Sequence, residues 1–171
     1  MAMARARERQ RRLEESAVVD APPATVYRLV SELRNMGRWS PECRSVWVLS
    51  RTSARAGTRF VGFNRRGPFL WFTLGRVVEA HQDRAFAFDV GVFGLPIARW
   101  GYRFEAEGAG TRVTEFWEDL RSGGPRGRVA DLLGMVFAGT HPARRIALNR
   151  AGMRATLTAI AGTAALSRPG A

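Results

Sequence analysis

A chain of 171 residues is long enough for one domain with a substantial core, and its single cysteine excludes an internal disulfide and a cysteine-rich metal site. The net charge of +12 comes from 27 basic residues that are all arginine, which excludes a Schiff-base lysine, a phosphate-loop lysine and a lysine general base. No stretch approaches the ~18 apolar residues of a spanning helix, and no apolar run follows the N-terminal arginines, so neither a membrane span nor a signal peptide is expected; one free thiol fits a reducing, cytoplasmic setting.

Residues 1–13 read as a basic flexible tail, with Arg5, Arg7, Arg9, Arg11 and Arg12 opposed only by Glu8. Residues 17–20 read as a first strand, stopped by Pro22-Pro23, which also starts a helix well. Val26, Leu29, Val30 and Leu33 recur at helical spacing, and Met36 and Trp39 extend the stripe. Asn35 and Gly37 read as stop residues, and Pro41 forbids continuation. The period then changes. Residues 44–49, 59–64, 69–80, 85–90, 98–106 and 111–120 read as strands separated by Gly, Pro and Asp turns, an antiparallel meander. Helices are expected over 128–139 and 142–165, and residues 167–171 should fray. Domain bounds of 14–166 follow.

Alternation assigns inner faces. Trp100, Tyr102 and Phe104 share one face of their strand, and Val113, Glu115 and Trp117 share one face of the next, with Phe116 on the polar side. Phe86, Phe88 and Val90 form another inner set, as do Trp71, Thr73, Gly75 and Val77, and Phe60, Gly62 and Asn64. No strand arginine falls inside by this parity. Ile146, Asn149, Met153, Leu157 and Ile160 make one stripe of the last helix. Three polar groups therefore sit among rings: Asn64, Glu115 and Asn149. Each either pairs inside the core, Glu115 with Tyr102 or Asn149, or meets the polar end of a ligand. Gly62 and Gly75 mark bends or leave room.

The order strand, Pro-turn, helix, Trp39-Ser40-Pro41, strand resembles the opening of the polyketide cyclase/START-like (SRPBCC) superfamily. Gly57-Thr58-Arg59-Phe60, Asn64-Arg65-Arg66-Gly67, Gly110-Thr111-Arg112-Val113-Thr114-Glu115 and Asn149-Arg150-Ala151-Gly152-Met153 are similar to its strand and final-helix segments. The resemblance implies an α+β helix-grip fold, a curved antiparallel sheet of about seven strands wrapped around a long C-terminal helix, with short helices after the first strand. It also implies an internal cavity, with Trp39 at its mouth.

The expected wall is Trp39, Phe60, Asn64, Trp71, Phe88, Trp100, Tyr102, Phe104, Glu115, Trp117, Asn149 and Met153. The first functional reading is binding or carriage of an apolar small molecule, such as a lipid, polyketide or sterol-like compound. The second is a polyketide cyclase/dehydratase with Glu115 as acid/base, although the lack of an inward arginine speaks against it. The third is contact of the arginine tail with anionic membrane or nucleic acid: a transient membrane contact at most, and no stable nucleic-acid partner. His81 reads as surface and His141 as a helix-boundary residue; no metal spacing or cofactor motif occurs, so neither is expected.

Overall fold

The computed structural model describes residues 11–50, 55–121, 124–125, 128–129, 132 and 142–166. β1 (Arg12–Val19) leads into α1 (Pro23–Ser31), a 3-10 turn (Leu33–Asn35) and α2 (Met36–Trp39). Then come β2 (Cys43–Val48), β3 (Arg59–Arg66), β4 (Phe69–His81), β5 (Ala85–Val92), β6 (Leu95–Glu107), β7 (Gly110–Asp119) and α3 (Pro142–Leu166). The strands form one antiparallel seven-stranded sheet in the order β1-β7-β6-β5-β4-β3-β2. Register shifts at Cys43/Ser45, Val77/Glu79 and Val90/Gly91 bend it. This is the helix-grip architecture.

Several boundaries differ from the sequence reading. β1 starts at Arg12, so Arg12 and Leu13 belong to the sheet and not to the tail. Leu13 is buried against Trp117, its cross-strand partner; a terminal strand tied down by such a contact does not fray. The first helix does not run to Gly37. At Glu32 the backbone turns extended, and the Glu32 carboxylate accepts from the Arg34 backbone N–H at 3.2 Å. That local bond competes with the helical one and restarts the chain as a 3-10 turn. Gly37 lies within α2 rather than stopping a helix: a Cβ there would stand 2.6 Å from the Arg44 carbonyl oxygen of β2. The helix expected over 128–139, and His141, fall for the most part outside the described residues, as do 1–10 and 167–171.

α3 crosses the concave face. Its buried Asn149, Met153, Leu157 and Ile160 follow the helical stripe, and Thr156 and Ala164 complete it. One apolar cluster joins Leu157, Ile160 and Ala164 to α1 (Val26, Val30) and to Phe86, Phe104 and Val113. A second joins Met153 to Leu13, Ala98 and Trp117. Glu15 of β1 clamps the helix, accepting from Arg150 at 2.6 Å and Arg154 at 3.0 Å. Gly75 does not leave free space. The Phe60 ring lies over it, and a Cβ would meet that ring at 2.1 Å.

Candidate functional site

Where α1 and the far half of α3 fill the concave face, the core is solid; toward the start of α3 the sheet and helix part. A cavity of about 640 Å³ opens there, walled by β2–β7, α2 and α3. Phe60, Asn64, Trp71, Phe88, Trp100, Tyr102, Glu115, Trp117 and Asn149 all stand on its wall. Parity explains this convergence, because every strand residue among them sits on the concave side of its strand.

Trp39, Phe104 and Met153 do not reach the wall. Trp39 is buried under α3, with its carbonyl accepting from Thr156 Oγ1 at 3.4 Å. Phe104 lies two residues farther along β6, toward the closed end, against Tyr27 at 5.7 Å between ring centroids. Met153 fills the second cluster. Parity names a face; it does not say how far along that face α1 and α3 close the space.

On the cavity wall Tyr102 and Glu115 are cross-strand partners. The Tyr102 hydroxyl donates to Glu115 Oε1 at 3.0 Å. Glu115 is 3% exposed, and its Oε2 has no hydrogen-bond partner among the described residues. Burial pushes the Glu115 carboxyl up to about 8, and the Tyr102 hydrogen bond, which pulls the other way, does not offset it. Burial, reinforced by the neighbouring Glu115, likewise raises the Tyr102 phenol. Both groups are therefore protonated at neutral pH. Since Oε1 accepts from tyrosine, the proton of Glu115 belongs on Oε2, which becomes an unused donor. Glu15, directly opposite in the β1–β7 register, has the reverse character: its hydrogen bonds to Arg154 and Arg150 hold it below the usual carboxylate range. Adjacent glutamates thus carry opposite protonation states because one meets arginines and the other meets rings.

Asn64 satisfies itself locally, donating to Gly62 O at 3.2 Å and to Thr73 Oγ1 at 3.5 Å. Asn149 adds a buried amide to the wall. Cys43 also lines the space, but burial raises its thiol to about 11, so it is not a nucleophile at neutral pH. No group of histidine, cysteine and carboxylate side chains capable of holding a metal occurs among the described residues.

The expectation of no inward strand arginine is overturned. Arg66 at the end of β3 lines the cavity, together with Arg121 and Arg145. Glu42 pairs bidentately with Arg145 at 2.6 and 3.1 Å and lies 3.9 Å from Arg66. Arg121 pairs with Asp119 at 2.7 Å. The strand reading stopped at Asn64, one inward step short of Arg66. Arg145 was visible in principle, one helical turn before Asn149 on the same stripe.

A family model described as polyketide cyclase / dehydrase and lipid transport matches residues 10–160. No curated protein matches the chain. Among solved structures, the Polyketide_cyc-like protein Cgl2372 from Corynebacterium glutamicum is 29% identical, with 87% of this chain and 88% of that one covered and a TM-score of 0.58. The Zhui aromatase/cyclase from Streptomyces sp. R1128 superposes with a TM-score of 0.67 at 14% identity, covering 90% and 93% of the two chains. Protein Ms6760 from Mycobacterium smegmatis gives 0.60 at 14% identity, with 92% of each chain covered.

Proposed function

The chain belongs to the polyketide cyclase/dehydrase and lipid transport family, and from that premise we propose that it binds a largely apolar small molecule carrying a carbonyl oxygen. The observation that carries this reading is Glu115 Oε2, a buried polar atom on an aromatic wall without a partner among the described residues. An unpartnered buried donor costs roughly 1–3 kcal/mol, which a ligand acceptor recovers on binding. The cavity volume of 640 Å³ lies within the ~300–1,000 Å³ span of small-molecule sites. Desolvation of the ligand against Phe60, Trp71, Phe88, Trp100 and Trp117 supplies affinity, and Glu115 and Asn149 supply orientation. A lipid or polyketide fits this chemistry.

Turnover is the second reading, and one observation favours it: a carboxyl at about 8 is suited to general acid work near neutral pH. Glu115→Gln separates the two. The amide still accepts from Tyr102 and donates to a carbonyl, so binding persists in both readings; only an enzyme loses its rate.

The direct test is native mass spectrometry of protein purified from its own host, expecting a co-purified carbonyl compound. Gly152→Leu supplies the control. A Cβ at Gly152 meets nothing within 4 Å, and the residue lines the cavity. Leucine there fills the space and removes a mid-helix glycine penalty of roughly 0.5–1 kcal/mol. Loss of the bound compound with an unchanged or higher Tm supports the reading. An unchanged load in Gly152→Leu places the ligand elsewhere and ends it.

A further inference from the structure

The outer face of the sheet between β2 and β4 carries Trp47, Phe63, Leu70, Phe72 and Leu74, and the β5–β6 hairpin adds Phe93. Register places these side by side: Trp47 opposite Val61, Val61 opposite Leu74, and Phe63 opposite Phe72. Trp47 is 66%, Leu70 68% and Phe93 64% exposed. Trp47 packs edge-on against Phe63 at 5.0 Å and Phe72 against Phe93 at 5.8 Å, so the residues form a patch rather than scattered points. Monomeric proteins rarely leave so many contiguous large apolar groups in water. Phe93 sits at the hairpin tip with φ +50, a backbone state that favours Gly or Asn, and is followed by Gly94 at φ +77. A bulky ring is held outward there against local preference.

The border of the patch decides its occupant. β2, β3 and β4 carry Arg44, Arg59, Arg65 and Arg76 away from the cavity, against Glu79 on the same strands and Asp89, which faces Arg76 from β5 but is bonded to Arg99. Arg59 and Arg76 face one another across the β3–β4 pair, a like-charge juxtaposition that costs stability in isolation. A second copy of the chain would oppose arginine to arginine. A protein partner would need an acidic, apolar counterface, and nothing in the sheet suggests one. An anionic lipid surface matches both components: aromatic and aliphatic side chains enter the headgroup boundary, and the arginines meet phosphates. Leu70, Phe72 and Phe93 also line the cavity, so the patch is continuous with its wall.

We propose that the outer face of β2–β4, with the β5–β6 hairpin, docks on an anionic bilayer. The cavity then opens beside the lipid phase, a route for an apolar ligand that avoids water. This last step rests on the cavity reading above; the docking does not.

The test is co-sedimentation of the full chain with vesicles of phosphatidylcholine, and of equal parts phosphatidylcholine and phosphatidylglycerol. Binding is expected to the mixed vesicles, weakening as salt rises. Arg59→Gln with Arg76→Gln lowers the partition coefficient about fivefold per arginine, and Trp47→Ser with Phe93→Ser lowers it at least about tenfold. Arg103→Gln with Arg112→Gln removes the same charge from β6 and β7, away from the patch, and leaves binding near the wild-type level. Gly152→Leu also binds normally, which keeps failure of the docking separate from failure of the cavity reading. Equal losses in the two arginine pairs overturn the proposal, because charge alone would then explain binding. Binding that survives every patch variant and disappears on removal of residues 1–10 assigns it to the tail. No vesicle binding, with a dimer abolished by Trp47→Ser, assigns the face to a second copy.

Discussion

The outer surface of the sheet has two halves built on the same alternation, and they treat exposed side chains differently. On β1, β5, β6 and β7 the charges find one another. Arg99 pairs with Asp89 at 2.7 Å, Arg103 with Glu14 at 2.9 Å, and Arg112 with Glu107 at 2.6 Å. The large outward ring of this half, Phe116, is only 7% exposed. It lies over Gly101, where a Cβ would meet it at 2.2 Å, and the guanidinium groups of Arg12 and Arg103 cover it at 5.8 and 5.3 Å. On β2–β4 no described glycine lies beneath Phe72, and the acid opposite Arg76, Asp89 of β5, is bonded to Arg99 instead, so the rings stay exposed. The first half is a finished protein surface. The second has the composition of a surface that meets something else.

The finished half contains one exception, Glu115 Oε2 on its inner side, and this gives the largest expected effect. The folded carboxyl titrates near 8 against 4.5 for an ordinary one. Between those values the native state holds a proton that the unfolded state has lost, so stability falls as pH rises. The slope reaches at most about 1.4 kcal/mol per pH unit, or roughly 4 kcal/mol between pH 5 and 8. Urea unfolding across that range checks it. Glu115→Gln flattens the profile; a wild-type profile already flat from pH 5 to 8 means Glu115 is ionised and wet.

Next in size is the contrast between the two outward phenylalanines. Phe116→Ala removes a covered ring and costs about 3 kcal/mol or more. Phe72→Ala removes an uncovered one and stays within about 1 kcal/mol of wild type. Equal losses in chemical denaturation would erase the distinction between the halves. The smallest effect is Arg99→Gln, which breaks a half-exposed pair and lowers stability by roughly 0.2–1 kcal/mol, less in high salt.

Much of this was legible in the residues. The strand, Pro-turn and Trp39-Ser40-Pro41 order gave the family and its fold, and the alternation of Trp100-Gly101-Tyr102 and of Glu115-Phe116-Trp117 gave the inner face. The misassigned wall residues share one cause. Trp39, Phe104 and Met153 obey the same periodicity as Trp100 and Asn149, but they lie where α1 and α3 already fill the space. Arg66 was missed because its strand was read as ending too early. The patch on β2–β4 is not legible from parity, which says which residues share a face and not whether that face is covered.

The sequence by itself determined which faces exist, since side-chain direction follows from the period of two in strands and the 3.6-residue helical turn, both local properties of the backbone. Only the tertiary structure decided which parts of those faces are filled, hollow or bare. That depends on where α3 leaves the sheet and on what stands opposite each residue across strands, distances set by segments far apart in the chain.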